Sequence, residues 1–424
     1  MIIFSLSSWI DLNSVWIELP LIVNVAPERW TLPSTLSLII SLANVFPILV
    51  LILRWKFGQR LSEIPFIYAI IIVGILACFA IGLFWDHTTM IFEKERSLPL
   101  LWAVFALAIL DCTSSLVFYD YMKRFQAKYL HAMFIGEGLT GTIPTLIAMV
   151  QGVGGEVECV PTNNNASVLR PIYSEPRFGV SMFFFLVTGI IAISLFAFIL
   201  LRLTSLTTLA NAKEIKSRKT DGETDGMLVK INGELPETRK SILPTPNSMT
   251  RKQFYILQAY NVVNSAIIFG CLPTLITYSV LPYGQKAFYY CSILHPISYP
   301  LSALCAIVRP KISLQWVMIG SIIGCLICTF IIVLAFQSPC PIWADTLHGG
   351  MIMIAAWFLS SFILSYVRIA SGHWIKLAWA GENGLFHYGV SVQMGLIFGT
   401  VPMYLVINVY GLLQDRWPCV AYCL

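Results

Sequence analysis

The feature that most constrains this chain is a succession of apolar runs, each about 20 residues long, with little charge inside them. Wound into a helix at ~1.5 Å per residue, such a run matches the hydrocarbon core of a bilayer. Eleven spans can be marked, near residues 1–22, 34–53, 64–85, 99–119, 131–151, 179–201, 253–277, 286–307, 314–336, 348–368 and 381–410. Of the 424 residues, 57% are hydrophobic and 12% are charged, against ~25% charged in a typical soluble domain. So little polar surface could not cover a core of this size in water, which excludes a cytosolic enzyme, a nucleic-acid binder and a disordered scaffold. The expected fold class is all-α: a polytopic membrane protein with eleven transmembrane helices and lipid as its outer solvent.

One stretch breaks the pattern. Residues 203–252 are polar, rich in Lys, Glu, Asp, Thr, Gly and Pro, and lack apolar periodicity, so a disordered linker is expected there. It divides six spans from five. The expected domains are a six-helix bundle over 1–202, a cytoplasmic linker over 203–252, and a five-helix bundle with an extracellular tail over 253–424. That layout resembles major-facilitator or nucleoside-transporter architecture, with a substrate site between the bundles near the midplane.

Orientation follows from basic charge. Twenty of the 27 Lys and Arg residues fall on one side of the predicted spans, including ten between Arg202 and Lys252 together with Arg368 and Lys376; seven fall on the other. Positive charge stays cytoplasmic, so the N-terminus is expected inside and the C-terminus outside. The Asn-x-Ser/Thr sequon at Asn165-Ala166-Ser167 then lies outside, where glycosylation can act. Cys159, Cys340, Cys419 and Cys423 share that oxidising side, and a bridge from Cys340 to Cys419 or Cys423 would tie the ninth-to-tenth loop to the C-terminal tail. The first span lacks a basic leader and carries Asp11, so a cleaved signal peptide is not expected.

The chemistry is expected where polar residues interrupt the spans. In span one, Trp9, Asn13, Trp16 and Pro20 recur at 4, 3 and 4 and share a helix face, whereas Asp11 and Glu18 lie opposite. Ionisable groups at membrane depth are costly, so this helix must be wrapped by other helices or by water. Trp9 and Trp16 with Asn13 suit a flat polar ligand; the alternative is an aromatic belt with Glu18 at the outer mouth. Span five carries Glu137, Thr140, Pro144 and Gln151 on one face, with Glu137 inside Gly136-Glu137-Gly138-Leu139-Thr140-Gly141. No strand precedes that glycine pattern, so it fails as a dinucleotide fingerprint and reads as close helix packing. Glu137 is either a ligand or proton site or a carboxyl paired inside the bundle.

In span seven, Gln258, Asn261, Asn264 and Ser265 precede a break at Gly270 and Pro273, which predicts a distorted helix beside a cavity or interhelical hydrogen bonds. Gln393 in span eleven lies beside Gly395 and Gly399. The six His residues show no metal-ligand spacing, and Cys325 and Cys328 sit mid-span, so no metal or cofactor is expected. No nucleophile, metal or phosphate motif supports an enzyme.

Several of these residues also occur in a recognisable order. Trp9-x-x-x-Asn13-x-x-Trp16-x-Glu18-Leu19-Pro20, then Pro27-Glu28-x-Trp30-x-Leu32-Pro33-Ser34, resemble the opening of the eukaryotic riboflavin transporter family. Gly136-x-Gly138-Leu139, Val150-Gln151-Gly152-Val153-Gly154, Leu281-Pro282-Tyr283-Gly284, Ser338-Pro339-Cys340-Pro341, Ser365-Tyr366-Val367 and Val392-Gln393-x-Gly395 continue the resemblance. Asp11, Ser115, Asp120 and Glu137 depart from the family's pattern. The resemblance implies eleven spans and uptake of riboflavin across the plasma membrane, with Trp9, Asn13, Trp16, Glu18, Gln151 and Gln393 shaping the pathway. Glu137 and Asn264 join them from the reading of the spans. Stacking would supply affinity for the flat ring, and amides would match its polar edge. An uncharged vitamin needs no counter-ion, so the buried acids are expected to gate, orient or exchange protons. A carrier of nucleosides or another planar heterocycle is the alternative, and a polytopic receptor a more distant one.

Overall fold

The computed structural model describes residues 1–57, 62–91, 94–126, 128–152, 158–162, 165–172, 175–203, 249–308, 313–379, 383–416, 419–420 and 422–423. Most of the predicted linker therefore lies outside the described residues. Among those described, ten helical segments are long and apolar enough to cross a membrane. The predicted first span is different. It consists of α1 (Ile2–Ser5), a 3-10 turn (Leu6–Ser8) and α2 (Ile10–Val25), broken at Trp9, whose φ of −149° and ψ of 9° leave the helical region. At 16 residues, α2 is ~24 Å long, short of a bilayer core. It lies in the interior, packed against α6 (Leu98–Tyr121), α7 (Lys128–Gln151) and α8 (Val180–Leu203).

The second span is bent into α3 (Leu32–Leu42) and α4 (Val45–Phe57), and α5 (Ile64–Phe84) packs between α6 and α8. After the undescribed stretch, α9 (Arg251–Ser265) starts earlier than expected, because Thr250 and Gln253 form a capping box. A π-helical turn (Ala266–Cys271) and α10 (Leu272–Val280) complete that span, so the break predicted at Gly270 and Pro273 is a local widening of the helix. Then follow α11 (Gln285–Val308), α12 (Leu314–Phe336), α13 (Leu347–Ala378) and α14 (Gly384–Tyr404). Two short hairpins add to the expected all-α fold: β1 (Thr89–Ile91) with β2 (Lys94–Arg96), and β3 (Glu158–Thr162) with β4 (Asn165–Ile172). The sequon residue Asn165 opens β4.

Glycines let the two halves of the chain touch. A Cβ at Gly138 would come within 2.8 Å of the Pro300 backbone, and one at Gly141 within 2.9 Å of the Pro296 ring, so α7 meets α11 with no side chain of its own at these two positions. In the second half, a Cβ at Gly399 would sit 2.1 Å from the Ala266 carbonyl oxygen. The glycine pattern of span five thus serves close packing, as its sequence context implied.

One end of the molecule carries two disulfides. Cys340 pairs with Cys423, one of the two alternatives expected for it, whereas Cys419, the other, pairs with Cys159 of β3. The opposite end, where the undescribed linker attaches at Leu203 and Met249, carries an ionic cluster. Arg54 pairs with Asp120, Lys123 lies 3.1 Å from Asp120, and Arg124 donates to Glu63 at 2.7 Å.

One basic residue is not at an end at all. The tenth span was expected to stop at 368, but α13 continues to Ala378 and Arg368 is 1% exposed. Its charge is met inside the bundle, so it drops out of the count of flanking positive residues.

Candidate functional site

A cavity of about 180 Å³, partly open to solvent, lies between the two halves and is lined by α2, α7, the π turn, α10, α11 and α13. Membrane carriers commonly place their sites at such a junction. From α2, the residues Trp9, Asn13 and Trp16 reach it, as their shared face predicted; α7 contributes Glu137 and Thr140. From α13, Trp357, Ser361, Ser365 and Arg368 reach it at spacings of 4, 4 and 3, and α11 contributes Ser292, His295 and Tyr299. The π turn turns Ile268 and Phe269 toward the same space.

The linker end of the cavity is built around a buried ion pair. Arg368 donates to Glu137 Oε1 at 3.2 Å, and Tyr119 donates its hydroxyl to Glu137 Oε2 at 2.8 Å. Arg368 also donates to the hydroxyls of Tyr119, at 3.5 Å, and Tyr299. Its guanidinium lies over the rings of Phe269 and Tyr299, 5.1 and 4.9 Å from their centroids. Tyr388 donates to the Arg368 carbonyl oxygen at 2.9 Å, holding the backbone of α13. A charge is tolerated at this depth because a carboxylate, phenols and ring faces replace its water. Of the two readings of Glu137, the structure shows both features: its carboxylate is paired and its side chain lines the cavity.

Beyond this level the halves touch again. His131 of α7 and His373 of α13 are in contact, with ring centroids 4.2 Å apart. They lie six and five residues from Glu137 and Arg368, or ~9 and ~7.5 Å along their helices. Lys376 donates to the carbonyls of Met122 and Lys123 at 3.2 and 3.3 Å, and the Arg54 guanidinium lies 4.9 Å from the Phe386 ring.

The remaining expected site residues lie away from the cavity. Glu18 is fully buried on the opposite face of α2, where Gln151 donates to it at 3.4 Å and to the Phe178 carbonyl at 3.0 Å. Asn264 donates to Ser321 of α12 at 3.2 Å, and Asn261 to Ser391 of α14 at 2.5 Å, so these amides join helices. Gln393 is buried in α14 with no partner for its amide among the described residues. Within the cavity, Asn13 donates to Thr140 at 3.0 Å, and the face of Trp9 is stacked on Phe269 at 5.6 Å and 15°. Trp16 has no ring or cation on it among the described residues. Among those residues, no three His, Cys, Asp or Glu side chains converge as a metal site.

Sequence reading missed Arg368, Tyr299, Tyr119 and His295. The signal for Arg368 was present. No proline stands between Val367 and Lys376, and Trp357, Ser361, Ser365 and Arg368 follow one face.

Comparison with solved structures shows the fold. The human organic anion transporter MFSD10 (TETRAN) superposes with a TM-score of 0.55 at 11% identity, covering 95% of this chain and 92% of that one. An auto-inhibited POT family peptide transporter gives 0.51 at 11% identity, covering 97% and 89%. Sequence comparison is closer. Riboflavin transporter member 3-A of solute carrier family 52 from Danio rerio is 34% identical, covering 99% of this chain and 97% of that protein. Member 3 from Homo sapiens is 30% identical, with the same coverage. Residues 1–415 match the family model described as solute carrier family 52, riboflavin transporter. With nearly its full length matched on both measures, this multi-pass membrane protein belongs to the solute carrier family 52 riboflavin transporters.

Proposed function

We propose that this chain carries riboflavin into the cell across the plasma membrane by alternating access, with its N-terminus cytoplasmic and its C-terminus extracellular. The observation that carries the reading is the cavity between the halves, where Trp16, Asn13 and Thr140 face Ser365, His295 and Arg368. An exposed indole face and a small set of fixed polar groups suit a flat, uncharged heterocycle. The family is one of transporters, not enzymes.

Two helical bundles, 1–202 and 253–424, would rock about this site, joined by the cytoplasmic linker. The contacts of Glu137 with Arg368 and of His131 with His373 favour closure at the linker end. Nineteen Lys and Arg residues flank the spans on that side, against seven on the other once Arg368 is set aside. Disulfides and the Asn165 sequon at the opposite end fit an extracellular face. Protons are the second candidate partner, since Asp11 and Glu18 are fully buried and form no ion pair among the described residues.

Uptake of radiolabelled riboflavin by cells expressing the chain tests the reading. Trp16→Ala and Asn13→Ala are expected to reach the surface and lose most of the uptake; near-normal uptake in both would remove the assigned site. Inhibition by lumiflavin but not uridine separates a flavin carrier from a nucleoside carrier. Inhibition by uridine alone would favour the second.

A further inference from the structure

Riboflavin joins a flat tricyclic ring to a polyhydroxyl chain, and the two parts ask for different walls. The cavity supplies two. Along α2 it presents Trp16, Ile17 and Leu19 beside Asn13; along α11 and α13 it presents His295, Ser361 and Ser365 above Arg368. The helices α11 and α13 pack against one another, which brings the imidazole and the two hydroxyls onto one wall. We propose that this strip of α11 and α13 binds the polyhydroxyl chain of the flavin and leaves the ring to Trp16 and Asn13. The assignment rests on the transport reading above and goes on to orient the substrate.

Three observations support it. First, the strip holds unused hydrogen-bonding capacity. Among the described residues, Ser361 Oγ, His295 Nε2 and Arg368 Nε are out of solvent without partners, a cost that ligand hydroxyls, able both to donate and to accept, can relieve after small rotations. By contrast, Ser292 and Ser298 donate to carbonyls of their own helix at 2.9 and 2.7 Å, so their protons are already engaged. Second, the strip is held in place. The Trp357 indole meets the His295 ring edge to face at 5.3 Å and 81° and donates to Ser279 at 3.2 Å. Third, three other rings around the cavity already have partners. Trp9 stacks on Phe269, and Arg368 covers Phe269 and Tyr299. A flat ligand therefore finds its stacking surface at Trp16, across from the strip.

The test compares riboflavin with lumiflavin, which keeps the ring and lacks the chain. Uptake by full-length protein, normalised to surface-biotinylated carrier, gives the half-saturating riboflavin concentration and the inhibition constant of lumiflavin. In the Ser361→Ala/Ser365→Ala double variant the riboflavin value should rise about tenfold, the effect of two lost hydrogen bonds. The lumiflavin constant should stay within about twofold of wild type. His295→Ala should shift the ratio in the same direction, and Trp16→Ala should weaken both flavins. Equal weakening of both in the serine variant, or of neither, would overturn the assignment. A wild-type chain that takes up no riboflavin would sink the transport reading, and the assignment with it.

Discussion

A guanidinium that is 1% exposed inside a helical bundle needs partners in place of water, and Arg368 has a carboxylate, two phenols and two ring faces, with only its Nε left over among the described residues. Removing one partner of such a pair leaves a bare buried charge, at a cost of about 3–5 kcal/mol, whereas removing both charges avoids that cost. Arg368→Gln is therefore expected to lower the unfolding temperature of the detergent-solubilised protein sharply, and Glu137→Gln/Arg368→Gln to recover much of it. Fluorescence-monitored melting reads both, and a double variant no more stable than the single would contradict the account. At this scale the sequence was half legible. Helical spacing assembled Trp9, Asn13 and Trp16 on one face, and the cavity receives them together. Spacing cannot say which neighbour a face meets, which is why Gln151 and Asn264 proved to join elements instead. Arg368 was missed because a charge at the end of an apolar run reads as the end of the membrane.

Between helices, the decisive residues are those that are barely there. Adding one methyl at Gly399 would place it 2.1 Å from the Ala266 carbonyl oxygen, whereas at Gly189 of α8 it would meet nothing within 4 Å. Both lie in helices, where alanine is intrinsically favoured over glycine by ~1 kcal/mol. The two substitutions should thus have opposite signs. Gly399→Ala should reduce thermal stability through overpacking by about 1–3 kcal/mol, while Gly189→Ala should leave it unchanged or raise it. Melting curves recorded side by side check this, and equal shifts would refute it. The sequence signalled the small-residue pairs, and also the break at Gly270 and Pro273 that became a π turn. It concealed the break at Trp9, since no proline or glycine lies there, and the long α13, whose apolar core continues past its buried charge.

For the molecule as a whole, the hydrophobic pattern sufficed to place ten spans, most of them within a few residues, because bilayer thickness sets their length, although the tenth runs to Ala378 where 368 was expected. It could not say which end is closed, since that depends on contacts between distant residues. Here the rings of His131 and His373, 242 positions apart in the sequence, sit 4.2 Å from one another. If that end must open during transport, a covalent link there should arrest the cycle. His131→Cys/His373→Cys is expected to lose riboflavin uptake on mild oxidation and to regain it with dithiothreitol, while each single variant is indifferent to both. Uptake that persists after the link is verified by mass spectrometry would exclude opening at that position. The far end already carries a link of its own, since Cys159 in the loop after α7 is bonded to Cys419 in the tail after α14. If transport opens that end, a leash anchored in both halves of the chain limits how widely it can gape.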